Sequence, residues 1–280
     1  MAIDPTTRSW DVLPHALLGL LSIGLIASSN YTLNEVLDAP YDRNHPDKQG
    51  RPVASGRVSL PLAWVQWILL MLLGAGLAWL LSPAYLWTMM ALWLMGCVYN
   101  IPPVRTKELP FLDVISESVN NPIRMMAGWF ITGSQLPTPA SLLLSYWAFG
   151  CYFMDLKRFA ELRSISDASR AASYRRSFAY YNESRLLSSA LVYISAANLL
   201  FGAFLMRYQL ELVLSFPFIA WVVGEYFRLA LWPNSPVQAP EHLFRQKRLM
   251  LSILLCSAVI ALLLFVRIPW LHEFFLPTGS

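Results

Sequence analysis

Apolar stretches close to the length of a bilayer core recur eight times along this chain, each set off from the next by a short segment holding most of the charge. A helix needs about 20 mainly apolar residues to cross the hydrocarbon. The candidate spans are Pro14–Leu33, Leu60–Leu81, Ala84–Tyr99, Phe111–Gly133, Ala140–Met154, Leu186–Met206, Leu210–Trp232 and Leu249–Trp270. This pattern predicts an all-α, polytopic transmembrane bundle of about eight spans, a single domain over residues 1–280. A hydrophobic content of 56% against 14% charged residues places the chain outside the range of ordinary soluble domains.

The basic residues are distributed unevenly. Sixteen of the 21 Lys and Arg residues fall on four alternate segments, Glu35–Ser59, Asn100–Pro110, Asp155–Arg185 and Pro233–Arg248. The positive-inside rule makes that side cytoplasmic and both termini external. The same bias accounts for the net charge of +4 without nucleic acid, for which there is no basic tail or aromatic-basic motif. Cys97, Cys151 and Cys256 lie in apolar spans without metal-ligand spacing, so neither a disulfide framework nor a thiolate metal site is expected. Met1–Leu13 contains Asp4, Asp11 and one arginine, unlike a cleavable signal, so the first span is expected to stay.

The first charged segment carries the densest chemistry. Asn34 and Asp38 are four apart and share a helix face as the first span ends. Pro40 is expected to break the helix, leaving Asp42 in a turn that can come round toward the same point. An amide and two carboxylates suit a divalent ion that prefers oxygen, and Arg43, His45, Lys48 and Arg51 suit phosphate oxygens. The alternative is a solvated loop start, with Glu35 off the shared face; the cations just downstream favour a metal-diphosphate site.

A second cluster, Asp155, Lys157, Arg158 and Glu161, follows the fifth span. An ordinary helix ion pair between Lys157 and Glu161 would explain part of it, at roughly 0.3 kcal/mol. The loop beyond, with Tyr174, Arg175, Arg176 and Arg185, suits an anionic lipid, whether as membrane anchor or as substrate. The fourth span holds Asp113, Glu117, Asn120, Asn121 and Arg124, too polar to face lipid, and Pro122 can open its backbone. Glu225 and Arg228 are spaced to pair with each other. His15, His242 and His272 have no zinc-like spacing and are assigned no role.

Asn34, Asp38, Asp42, Arg51, Pro52 and Gly56 resemble the first motif of the UbiA superfamily of intramembrane prenyltransferases, Asn-Asp-x-x-Asp-x-x-x-Asp ending in Arg-Pro-x-x-x-Gly, with Glu35 in place of the usual second-position Asp. Lys157-Arg158-x-Ala160-Glu161-Leu162 resembles the decaprenyl-phosphate phosphoribosyltransferase branch, where cations replace the second aspartate-rich motif; Leu156 stands where that branch has glycine. Tyr99, Lys107, Pro110, Asp113 and Arg124 fit the same branch. Such enzymes normally have nine spans with the first motif after the second, so one helix fewer is expected before it here.

The resemblance implies an enzyme of a bacterial cytoplasmic membrane with its site facing the cytoplasm. It would transfer 5-phosphoribosyl from phosphoribosyl diphosphate to a polyprenyl phosphate, with Mg2+ on Asn34, Asp38 and Asp42. Asp38, Asp42, Lys157, Arg158 and Glu161 would be catalytic. Arg43, His45, Lys48, Arg51, Lys107, Arg124, Asp155, Arg175 and Arg176 would bind substrate. Two alternatives remain at this point: a prenyltransferase using an allylic diphosphate and an aromatic or lipid acceptor, and a non-enzymatic lipid-binding or transport bundle.

Overall fold

The computed structural model describes residues 12–43, 49–134, 136–165, 175–238 and 240–275. Within them every element is helical: α1 (Val12–Asp42), α2 (Leu60–Leu81), α3 (Pro83–Asn100), α4 (Leu112–Ser118), α5 (Asn120–Ile131), α6 (Ala140–Ser164), α7 (Glu183–Tyr208), α8 (Phe216–Ala230), α9 (Pro240–Leu243), α10 (Lys247–Leu263) and α11 (Pro269–Phe275). Short 3-10 turns cover Thr106–Glu108, Arg176–Ala179, Leu210–Ser215 and Pro236–Gln238. Four helical runs are long and apolar enough to cross a membrane: α1, α2, α7 and Leu210–Ala230. The other predicted spans are helical too, in α3, α4 with α5, α6 and α10.

Prolines mark three boundaries, of which the break at Pro122 follows the sequence expectation and the other two differ from it. Pro40 does not end α1, which continues to Asp42. The missing donor falls in the last turn, and Arg43 N still reaches Ala39 O at 3.2 Å. Asn34, Asp38 and Asp42 therefore lie on one regular helical stripe. Pro122 has no N–H for the Ser118 carbonyl, and the fourth span divides into α4 and α5 at Val119. The eighth apolar stretch ends as α10 at Leu263, and Pro269 starts a separate helix.

The chain packs as two units that divide after Thr138. In the first, α1 lies along α2 and touches α3 and α5, while α3 packs on α5. Apolar surface gains little from helix association in lipid, so close approach and polar contacts must hold such helices together. Ser22 Oγ donates to Gly74 O at 2.8 Å, Ser29 Oγ to Trp67 O at 2.8 Å, and Asn30 Nδ2 to Leu92 O at 2.9 Å. Tyr85 Oη donates to Gly19 O at 2.7 Å. Ile26, Ala78, Tyr85, Met89, Leu92 and Ala127 fill the space between.

In the second unit, α6 packs along α7 and against α8, and α10 packs on α8. Ser145 Oγ donates to Ala197 O at 2.9 Å, and the Ser189 hydroxyl donates to the buried Asp155 carboxylate, so two polar ties join α6 to α7. His272 of α11, given no role from sequence, meets buried Glu211 at 2.9 Å and pins that short helix.

At Gly96, α3 leaves room for the Asn30 side chain of α1: an added Cβ would fall 2.2 Å from Asn30 Cγ. Gly96→Ala should lower the thermal unfolding midpoint in detergent, reflecting an overpacking cost of about 1–3 kcal/mol. Gly76→Ala, whose Cβ meets nothing within 4 Å, should leave the midpoint level or raise it. Equal midpoints for the two variants would contradict this packing.

Candidate functional site

The α1 stripe meets cations from the segment between α3 and α4. Lys107, only 6% exposed, places its ammonium 2.6 Å from Asp38 Oδ1, 3.1 Å from Asn34 Oδ1 and 2.9 Å from Asn100 Oδ1. An ammonium has three donors, and three oxygens surround this one. Arg105 adds a second cation, with Nη2 3.0 Å from the same Asp38 oxygen and Nη1 3.2 Å from Asn100 O. Its Nε bonds Glu108, and its guanidinium lies 5.7 Å from the centre of the Tyr41 ring.

Arg105 is absent from the sequence-derived candidates. It adopts a left-handed backbone, φ 31°, that a non-glycine residue rarely takes and that no sequence pattern announces. The conformation turns the chain between the end of α3 and Lys107. Thr106 Oγ1 and Ser116 Oγ, 2.8 Å apart, tie this turn to α4, where Asp113 is fully buried.

The segment after α1 is held by backbone geometry. Gly56 takes φ +77°, Ser55 N bonds Arg51 O at 2.8 Å and Gly56 N bonds Val53 O at 3.2 Å. The glycine that closes Arg-Pro-x-x-x-Gly thus supplies the left-handed residue of a tight turn. Val53 packs with Val36, Ala39 and Ala63, and its N–H donates to Glu35 Oε1 at 2.7 Å. Glu35 therefore fastens the turn to α1. The turn brings Arg51 Nη1 within 2.8 Å of Asp42 Oδ2, with Asp42 only 4% exposed. Arg43 is exposed and turns Nε toward Ala54 O at 3.4 Å. His45 and Lys48 lie outside the described residues.

The second cluster sits at the end of α6, beyond its apolar part. Arg158, 3% exposed, pairs with Glu161 at 2.7 Å. Burial alone would raise the Glu161 pKa. Arg158, Arg175 and Lys157 outweigh it and hold the carboxyl below its ordinary value. Three cations thus surround one carboxylate, leaving the cluster net positive. Arg176 is exposed, and Arg124 is exposed on α5. Asp155 is committed to Ser189 in the α6–α7 packing. Glu225 and Arg228 pair with each other at 2.6 Å, as their spacing predicts.

A Mg2+ site commonly uses one or two carboxylates and completes its shell with substrate phosphates and water. Asp38, Asp42 and the Asn34 amide form a donor set of that kind. Among the described residues, no three His, Cys, Asp or Glu side chains gather closely enough to hold a metal without such help.

Long apolar helices that carry buried acids and cations at their ends define an integral membrane protein with a polar site. The chain belongs to the UbiA prenyltransferase family, which matches residues 4–246. It is 31% identical over 177 residues to the decaprenyl-phosphate phosphoribosyltransferase of Mycobacterium tuberculosis, covering 63% of this chain and 56% of that one. It is 31% identical over 152 residues to the protoheme IX farnesyltransferase of Korarchaeum cryptofilum, covering half of each. The chain thus spans little more than half the length of these curated relatives. A UbiA homologue from Archaeoglobus fulgidus, solved with DMAPP and Mg2+, shares the fold with a TM-score of 0.70 at 22% identity, covering 90% of this chain and 88% of that one.

The anchoring role of Glu35 is separable from metal binding. Glu35→Ala should cost about 1–3 kcal/mol by stranding the Val53 N–H, and Glu35→Gln, which keeps an acceptor oxygen, should unfold near the wild-type midpoint. If instead the glutamine variant unfolds as early as the alanine variant, the hydrogen bond to Val53 is not what Glu35 supplies.

Proposed function

We propose that this protein is a transferase that moves 5-phosphoribosyl from phosphoribosyl diphosphate to a polyprenyl phosphate, releasing diphosphate. The observation that carries the reading is the character of the α6 cluster. Its three cations around one ionised carboxylate suit a phosphate, and they do not offer the paired carboxylates that a second metal would need. The resemblance to phosphoribosyltransferases at about 31% identity agrees with this.

In the first unit, Asn34, Asp38 and Asp42 would hold Mg2+, whose charge would offset that of the diphosphate. Lys107, Arg105 and Arg51 already point their donors at the same acids. An incoming diphosphate would compete with Asp38 and Asp42 for those donors and be fixed by them. Their charge-assisted bonds strengthen as the anomeric C–O bond loosens and negative charge gathers on the leaving group. In the second unit, Lys157, Arg158 and Arg175 would hold a phosphate monoester, with Glu161 orienting Arg158. The acceptor phosphate is ionised near neutral pH, so attack on the anomeric carbon needs no dedicated general base.

The test is incubation of purified protein with Mg2+, labelled phosphoribosyl diphosphate and polyprenyl phosphate, followed by mass spectrometry of the lipid. A phosphoribosylated lipid is expected, with turnover in Asp38→Ala lower by about 10²–10³-fold. Consumption of an allylic diphosphate alone would establish the prenyltransferase reading instead. Consumption of neither would leave lipid binding or transport.

A further inference from the structure

The second unit contains two adjoining apolar clefts. One, of about 290 Å3, is lined by Tyr152, Asn198, Phe216, Val223, Gly224 and Phe227. The other, of about 400 Å3, includes Asn198, Gly202, Met206, Leu210, Val213 and Phe216. Sharing Asn198 and Phe216, they form one groove that follows α7.

The walls spend their polar atoms internally. Tyr152 Oη donates to Val223 O at 3.2 Å, and Asn198 Nδ2 donates to Ile194 O at 2.9 Å. What remains for an occupant is apolar surface. Gly202 and Gly224 have no atom within 4 Å of an added Cβ, and neither adopts a positive φ. Neither helix packing nor backbone conformation requires glycine at these positions; their effect is to leave the groove open.

One end of the groove adjoins the cation cluster. Tyr152 precedes Lys157 on α6 by about 7.5 Å of helix rise. Tyr226, next to the lining residue Phe227, packs edge-on to Phe153 with centroids 4.7 Å apart, which ties this end of α8 to α6. Along α8, the lining residues Phe216 and Phe227 are separated by about 16 Å of helix rise. A membrane's hydrocarbon is about 30 Å thick. The groove thus begins near the cation-bearing end of α6 and extends through about half of that depth.

We propose that this groove between α6, α7 and α8 holds the isoprenoid tail of the acceptor, whose phosphate sits at Lys157, Arg158 and Arg175. The assignment rests on the phosphoribosyl-transfer reading and adds the path of the lipid. A single-chain phosphate monoester matches one groove with one cationic end; a two-tailed glycerophospholipid would have to leave one tail outside.

The experiment uses the full chain in lipid nanodiscs and a polyprenyl phosphate carrying a photoreactive diazirine part-way along its tail. Irradiation should label peptides containing residues 198–206 and 216–227, and excess unlabelled polyprenyl phosphate should suppress the labelling where equal phosphatidylglycerol does not. Labelling confined to other helices, or suppressed equally by both lipids, would overturn the proposal. Gly202→Leu, which fills the far cleft, should raise the ratio of KM for a long-chain acceptor to KM for a two-isoprene acceptor by about tenfold, since a short tail does not reach it. An unchanged ratio would also overturn it. If the wild-type chain makes no phosphoribosylated lipid, the transfer reading fails, and the labelling pattern still decides whether the groove binds the lipid.

Discussion

The buried Lys107 ammonium is the point on which the first unit's polar architecture turns. Removing a charge from water costs several kcal/mol unless oxygens replace its hydration. Asn34 and Asp38 from α1 and Asn100 from the end of α3 provide them, all within 3.1 Å. One cation thereby fixes the end of α1 against the end of α3, and Asn100 is itself held to its helix through Gly96 O at 2.9 Å. Arg105, sharing Asp38, orients the turn between them. The polar contacts of Ser22, Ser29 and Asn30 farther along α1 set the depth at which the stripe emerges.

Under the proposed function the acids have two roles at different times. Without ligand, Asp38 and Asp42 neutralise Lys107, Arg105 and Arg51, so neither charge is stranded in a low-dielectric setting. With a diphosphate and a divalent ion, both sets would exchange partners, the acids taking the ion and the cations the diphosphate, so that no charge is left unpaired. The α6 cluster differs because Glu161 lies in the field of Arg158, Arg175 and Lys157, and under the proposed function these cations receive a phosphate. Arg158 and Glu161 share a helical turn, so that cluster is shaped by local geometry.

Much of the fold was legible because the membrane imposes it. All eight apolar stretches are helical, and α2 keeps the boundaries that hydropathy gives, since Pro61 and Ser82 mark its ends. The break near Pro122 follows from a missing donor. The continuation through Pro40 was not legible: the cost of a proline depends on how many turns follow it, and only the folded chain reveals that α1 ends two residues later. In the site, Asn34, Asp38 and Asp42 could be read from spacing, and Arg51 from its place before a proline. Arg105 could not, because its contribution comes from a left-handed turn and from contacts nearly 70 positions away in sequence. Glu35 resembled a displaced ligand; its actual partner is a backbone N–H of the following turn. Asp155 could be read as part of the charged cluster, and its hydrogen bond to Ser189 across to α7 could not be read from sequence.

Under the proposed function, cations guard the α1 carboxylates until a diphosphate draws them away. Electron paramagnetic resonance of Mn2+, standing in for Mg2+, measures this directly on the purified chain with and without inorganic diphosphate. The account predicts weak Mn2+ binding alone, a marked gain in affinity with diphosphate, and in Lys107→Met stronger binding of the bare ion with a smaller gain. Mn2+ affinity that is the same with and without diphosphate, and unaffected by Lys107→Met, would contradict it.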